Sequence, residues 1–127
     1  MQSVRGLNQT MMNKQRRLLL IGVIQVLQKL KGTQNNPETL KALKQAAKDL
    51  EQANDEEGFA YDNLPDNLAW SMRADIMSDN LEDLGDAVYD MGVIVEAYES
   101  ERDNPYKTVK KEIRSVIKGL TETIERI

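Results

Sequence analysis

The sequence predicts an all-α protein whose four helices form two antiparallel hairpins, joined either as a helical bundle or through a coiled-coil dimer. Apolar residues recur at spacings of three and four along nearly the whole chain, which is the period of an α-helix. Glycine and proline together contribute ten of the 127 residues, too few for a loop-rich or many-stranded fold. We assign residues 1–10 to a disordered leader and residues 11–127 to one helical domain, since this length suits a single domain.

The first helix is predicted over residues 11–31. Leu20, Leu27 and Leu30 follow the helical period and mark a buried face. The apolar run that contains them spans thirteen residues, from Leu18 to Leu30, whereas a membrane-spanning helix needs about 20. We therefore expect a core helix of a cytoplasmic protein, with no membrane segment, and we expect it to end near Lys31-Gly32.

Two Asn-Pro pairs predict the starts of the second and fourth helices, over residues 37–62 and 105–127. Asparagine is a preferred N-cap, and proline suits the first helical position because that position needs no hydrogen-bond donor. The pairs are Asn36-Pro37 and Asn104-Pro105. Pro65 marks the end of the second helix, since a proline breaks the hydrogen-bond ladder of a helix interior.

The third helix is predicted over residues 71–100, with Ser71 as its N-cap. Its apolar residues keep the alternating spacing of a heptad repeat over three heptads. The repeat consists of Met77, Leu81, Leu84, Val88, Met91, Val95 and Tyr98. Gly85 and Gly92 lie seven residues apart on one side, where they would let another helix approach closely. A helix can also simply tolerate them, at a cost of about 1 kcal/mol each.

Charge is distributed unevenly along the chain, although the net charge is only −4. Residues 1–37 carry six basic residues and no acid, whereas residues 75–101 carry nine acids and no base. One interpretation is that oppositely charged helices lie side by side and neutralise each other. The other is that the third helix presents an acidic face to a basic partner.

Missing residue types exclude several kinds of chemistry. The chain has no cysteine and no histidine, which excludes disulfides, thiolate and ordinary zinc sites, and the Ser-His-Asp triad. It also has no glycine-rich phosphate loop and no calcium-binding loop. We predict no cofactor, and the net acidic charge argues against direct binding to nucleic acid.

Three segments in the middle of the chain carry a recognisable pattern. They are the aromatic-x-Asn-Leu-Pro-Asp-Asn-Leu turn at residues 61–68, Ser71-x-Arg73, and Asp-Asn-Leu-Glu at residues 79–82. This pattern resembles a family of small acidic helical proteins encoded by bacteriophages and other mobile elements. The family has no established activity, so the resemblance implies a phage context rather than a mechanism.

The leading hypothesis is a non-enzymatic interaction module that binds and modulates a protein in the host cytoplasm, for example as an inhibitor of a defence factor. The expected partner is basic or itself binds nucleic acid, because the third helix is acidic. The turn before that helix is either a structural corner or a further anchor, since Trp, Tyr and Arg dominate interaction hot spots. The candidate partner-binding residues are Tyr61, Leu64, Trp70, Arg73, Asp79, Glu82, Asp83, Asp86 and Asp90.

Two alternatives remain open. Residues 81–88 resemble a segment of all-α nucleoside triphosphate pyrophosphohydrolases of the MazG type, which implies Mg²⁺ bound by Asp83 and Asp86. The second carboxylate motif of that family is incomplete, because Phe59 and Ala60 stand where its last acid is needed. The third hypothesis is a self-assembling structural protein, in which the heptad helix forms a homodimer.

Overall fold

Four α-helices account for nearly all of the chain that the structure describes, namely residues 14–30, 36–68, 71–100 and 104–126 of a computed structural model. They are α1 (Lys14–Gln28), α2 (Pro37–Asp62), α3 (Met72–Ser100) and α4 (Pro105–Glu125), with one 3₁₀ turn at Asp66–Leu68. No strand occurs within these ranges, so the prediction of an all-α helical bundle is confirmed. The predicted leader and the expected cap at Lys31-Gly32 lie outside the described residues.

The helices pack as a ring in which each helix contacts the next and α4 returns to α1. The contact between α3 and α4 is the most extensive, followed by those of α2 with α3 and of α1 with α2. Consecutive helices joined by short connections run antiparallel, as in an up-down-up-down four-helix bundle. One end of the bundle therefore holds the start of α1, the end of α2, the start of α3 and the end of α4.

Side-chain caps fix the predicted helix starts. The Asn36 side chain accepts a hydrogen bond from the Thr39 backbone N–H at 2.8 Å, and the Asn104 side chain accepts one from the Lys107 N–H at 3.2 Å. Each cap satisfies a backbone donor that has no partner within its helix. Ser71 does the same for α3, because its Oγ accepts a hydrogen bond from the Ala74 N–H at 3.3 Å.

The core is aliphatic and lies along the bundle axis. Each helix contributes a fully buried leucine, and these are Leu20, Leu43, Leu84 and Leu120. Aliphatic side chains provide most of the favourable free energy of folding here, since burial removes their surface from water. No described helix combines the length and the apolar character that a bilayer crossing requires.

The buried residues of α3 agree with the predicted heptad repeat only at alternate positions. Met77, Leu84, Met91 and Tyr98 are buried as expected, but the predicted Leu81, Val88 and Val95 are only half-buried. The residues that complete the buried row are Asn80, Ala87 and Ile94, each one position earlier. This shift arises because α3 packs against both α2 and α4, so its apolar stripe is wider than a two-helix seam. Leu81 lies on the α2 side, close to Gly58.

Candidate functional site

The outer side of α3 carries a row of exposed acidic side chains. The exposed carboxylates of this helix belong to Asp75, Asp79, Glu82, Asp86, Glu96 and Glu99. Within the described part of the chain, only Asp83 and Glu99 among the α3 acids have a basic group within 4 Å. Glu99 pairs with Lys44 of α2 at 3.0 Å. The remaining exposed acids, from Asp75 to Glu96, form what we call the acidic α3 face.

Tyr89 lies on the acidic α3 face between Asp86 and Glu96 and is 74% exposed. Gly85 precedes it by four residues and Gly92 follows it by three, so both glycines lie beside it on the helix surface. A Cβ built on either glycine meets no atom of the described chain within 4 Å. Packing within the bundle therefore does not require these glycines, although each lowers the stability of the helix. We call this exposed aromatic ring with its two flanking glycines the Tyr89 notch.

Two of the predicted acids lie at the α3–α4 interface instead of on the exposed face. Asp83 forms an ion pair with Arg126, with 2.6 Å between Oδ2 and Nη1. Asp90 is half-buried and lies close to Ser115 and Glu112 of α4. The structure thus brings Asp79, Glu82 and Asp86 together on one surface and places Asp83 and Asp90 against α4.

Asp90 has a raised pKa because burial disfavours its charged form. The nearby Ser115 hydroxyl offsets part of this effect, while repulsion from Glu112 and Asp86 adds to it. Folding raises the pKa of this carboxyl above its unfolded value of 3.8. The resulting stabilisation is fully present below pH 3.8 and is lost as the pH rises through the folded pKa. At neutral pH the ionised Asp90 therefore opposes folding.

We expect Asp90→Asn to stabilise the protein at pH 7 by about 0.2–0.5 kcal/mol, the size of a relieved like-charge pair on a helix surface. The amide oxygen can still interact with the nearby Ser115 hydroxyl. Urea unfolding at pH 7 and at pH 3 measures the effect, and the gain should vanish at the lower pH, where Asp90 is protonated. Asp79→Asn on the exposed face is the control, and an equal gain at both pH values for Asp90→Asn would contradict the assignment.

The corner between α2 and α3 carries apolar side chains that face solvent. Phe59 and Met72 are both largely exposed, whereas the predicted Tyr61 and Leu64 are half-buried. Arg73 is also partly buried, and Trp70 lies outside the described residues. Phe59 and Met72 are not among the predicted site residues, because an apolar residue near a helix end has no pattern that shows whether it is buried.

A polar network crosses the bundle at the end that holds the α2–α3 corner. It includes at least one residue from each of the four helices. Glu57 of α2 is only 1% exposed, and its Oε1 lies 3.3 Å from Nε of Arg16 in α1. Asn80 of α3 donates to the other carboxylate oxygen at 3.1 Å. Arg126, at the end of α4, donates to Asn80 Oδ1 at 3.4 Å and pairs with Asp83. We call these five residues the four-helix polar network.

This network was not predicted, because the local sequence around its members gives only a weak indication that they are buried. Asn80 is a polar residue one position from the predicted heptad row, and Glu57 belongs to a run of acids that is typical of a solvated surface. Arg16 and Glu57 are 41 positions apart in the chain, so only the tertiary structure brings them together. Sequence spacing alone could not distinguish these buried charges from exposed ones.

No group of three or more metal-binding side chains comes together in the described part of the chain. Of the two proposed magnesium ligands, Asp83 is already paired with Arg126, and Asp86 is exposed on the outer side of α3. Comparisons of the chain with protein-family models, curated proteins and solved structures find no match.

Proposed function

We propose that this protein is a non-enzymatic interaction module whose acidic α3 face binds a basic surface of a partner protein. The observation that carries the proposal is the Tyr89 notch, an exposed aromatic side chain between two glycines that no described helix covers. The resemblance to phage-encoded proteins makes a host protein the proposed partner, and modulation of that protein the proposed outcome.

Electrostatic attraction would bring the partner to this face. From Asp75 to Glu96 the face extends over about 32 Å of helix at 1.5 Å per residue. Its carboxylates have no basic neighbour within 4 Å in the described chain, so their field extends into solvent. Such a field accelerates the encounter with a basic partner and disfavours acidic ones.

The Tyr89 notch would supply the short-range contacts. Tyrosine is enriched among residues that dominate binding energy, and its ring can also accept an arginine or lysine above its face. The glycines let a backbone or a bulky side chain come close to α3 on either side of the ring. A basic helix fits both features, because it presents cationic side chains and a regular surface.

The exposed apolar corner extends this surface at one end of α3. Met72 precedes Asp75 and Asp79 by three and seven residues, so all three lie on the same side of the helix. Exposed apolar residues next to a charged surface are typical of interaction sites. We therefore include Phe59 and Met72 in the proposed contact, beside the predicted Tyr61, Leu64 and Arg73.

A charge-matched pull-down tests the acidic α3 face. Asp79→Asn/Glu82→Gln/Asp86→Asn removes three exposed charges from the face, and Glu38→Gln/Glu51→Gln/Asp55→Asn removes three exposed charges from α2. We expect the tagged protein to retain a basic protein from a bacterial lysate at low salt, and only the α3 variant to lose it. Equal retention by both variants, or no retained protein with the unmodified chain, would refute the proposal.

Glycine substitutions separate binding from folding at the Tyr89 notch. Gly85→Ala and Gly92→Ala should each stabilise the protein by up to about 1 kcal/mol, because alanine favours the helix and the space is open. The same substitutions should weaken binding of the retained partner by filling the notch. Gly22→Ala of α1 is the control, since its Cβ also enters open space, and it should raise stability without changing binding.

A further inference from the structure

The side of α4 that faces away from α3 carries a row of exposed basic side chains. The row follows the helix at spacings of three, four and four, and consists of Lys107, Lys110, Arg114 and Lys118. It extends over about 16 Å at 1.5 Å per residue. None of the four has a carboxylate within 4 Å in the described chain. We call this row the basic α4 stripe.

Contacts on the other side of α4 fix the direction of the basic α4 stripe. Asp90 of α3 lies close to Ser115 and Glu112, so these two positions of α4 face α3. Lys110 and Arg114 are each two residues from Glu112, which is about 200° around a helix of 3.6 residues per turn. They therefore point away from α3, toward the side on which α4 packs against α1.

α1 adds polar side chains and no acid to this side of the bundle. Within Lys14–Gln28 there is no acidic residue. Val26 lines a recess between α1 and the start of α2, so the exposed Gln28, two residues further on, lies on the opposite side of α1, toward α4. Gln25, three residues before Gln28, is exposed as well. Glutamine side chains are common hydrogen-bond donors to phosphate oxygens.

We infer that the basic α4 stripe binds the phosphate backbone of a nucleic acid without reading its sequence. A row of cations is matched by a row of anions, and duplex DNA carries one negative charge about every 1.7 Å along its axis. Neutralising phosphates releases condensed counterions, which supplies the free energy of such binding. The amide groups of Gln25 and Gln28 donate hydrogen bonds to neighbouring phosphate oxygens.

The acidic net charge of the chain acts only weakly on this contact. A phosphate responds mainly to charges within about one Debye length, roughly 8 Å at physiological salt. α1 and α3 occupy opposite corners of the ring of helices, so most α3 acids lie far from the side formed by α1 and α4. The exposed acids of α4 itself, Glu122 and Glu125, follow Lys118 and limit the site to the first half of the helix.

A nucleic acid suits the basic α4 stripe better than the acidic α3 face of a second copy does. From Asp75 to Glu96 that face has five exposed acids over about 32 Å, or roughly one per 6 Å. The phosphates of a duplex are more than three times as dense along the axis. Self-association through the stripe is therefore the competing outcome in the test.

Fluorescence anisotropy of a short labelled duplex DNA, titrated with the full chain from about 20 to about 200 mM NaCl, tests the inference. The logarithm of the association constant should fall linearly with the logarithm of the salt concentration. We expect a slope of about −3.6, since each of four neutralised phosphates contributes about −0.9. Lys110→Gln/Arg114→Gln should weaken binding by about tenfold or more at low salt and reduce the slope to about −1.8.

Lys41→Gln/Lys48→Gln is the matched control. It removes the same charge from exposed positions of α2, which lies across the ring from α4, and it should leave the slope unchanged. Absence of binding at the lowest salt, or equal losses in the two variants, would overturn the inference. So would sedimentation velocity in which the unmodified chain self-associates at low salt and Lys110→Gln/Arg114→Gln does not. Circular dichroism checks that both variants remain helical.

The DNA titration contains no host protein, so its outcome is independent of the proposed function. Asp79→Asn/Glu82→Gln/Asp86→Asn should bind DNA at least as tightly as the unmodified chain, because it removes negative charge. Lys110→Gln/Arg114→Gln should still retain the host protein from a nuclease-treated lysate. A retained host protein without DNA binding would overturn this inference alone, whereas DNA binding without any retained protein would count against the proposed function alone.

Discussion

Arg16→Met is expected to destabilise the protein by about 3–5 kcal/mol, because it leaves the carboxylate of Glu57 buried without its cationic partner. Glu57 is 1% exposed and Arg16 Nε lies 3.3 Å from it, while the neighbouring contact to Glu56 is longer, at 3.8 Å. Asn80 donates a hydrogen bond to Glu57, but a neutral amide compensates a buried charge only in part. Urea unfolding at neutral pH measures the loss.

A double-mutant cycle shows whether the pair acts as a unit. Arg16→Met/Glu57→Met replaces both charges with apolar side chains, and it should be more stable than Arg16→Met alone, because no unpaired carboxylate remains buried. Lys44→Met and Glu99→Met provide the control cycle, since that pair is about half exposed and its coupling should not exceed about 1 kcal/mol. If the changes in unfolding free energy caused by Arg16→Met and Glu57→Met simply added in the double variant, the described contact would be contradicted.

Leu20→Ala is expected to cost about 2–5 kcal/mol, through lost burial and the cavity that it leaves among the four helices. Leu20 is completely buried, whereas Leu18 of the same helix is 57% exposed. The two leucines differ in their environment and not in helix propensity, so Leu18→Ala should change the unfolding free energy by no more than about 0.5 kcal/mol.

Thermal and urea unfolding of the two alanine variants measure this difference directly. A loss at Leu18 equal to that at Leu20 would show that α1 is covered on both sides, contrary to the described packing. Both variants should keep the α3 surface intact, so binding of a partner to the folded protein should not change. Loss of binding by folded Leu20→Ala would mean that the core and the surface are coupled.

The fold could be predicted because its signals are local. The Asn36 and Asn104 caps, the prolines that follow them and Ser71 each act within one helical turn, and their side chains make the expected hydrogen bonds. The bounds Pro37–Asp62 of α2 match the predicted range for the same reason. Helix order then follows from antiparallel packing of neighbours in sequence.

The buried row of α3 could not be predicted from spacing. A residue three positions after Met77 and a residue four positions after it both fit a helical stripe, and the more apolar Leu81 was the natural choice. The buried residue is Asn80, because its amide satisfies Glu57 of α2 and Arg126 of α4. Contacts between helices decide such a position, and no pattern within one helix contains them.

The acidic charge of the candidate site was predicted from the sequence, but its exposed aromatic residue, Tyr89, was not. Nine acids without a base marked α3, and the exposed positions of Asp79, Glu82 and Asp86 agree with a surface role. Tyr89 was not selected, because a tyrosine between two apolar heptad positions could lie inside or outside the bundle. Only its exposure, with open space above both neighbouring glycines, singles it out.

The four-helix polar network contains two guanidinium groups, two carboxylates and one amide, so as a unit it carries no formal charge. Dissolved ions act on exposed charges and scarcely on compensated buried ones. Raising the ionic strength should therefore weaken association through the exposed charged surfaces. The midpoint of unfolding should hardly change. Salt would then release the proposed partner without unfolding the bundle.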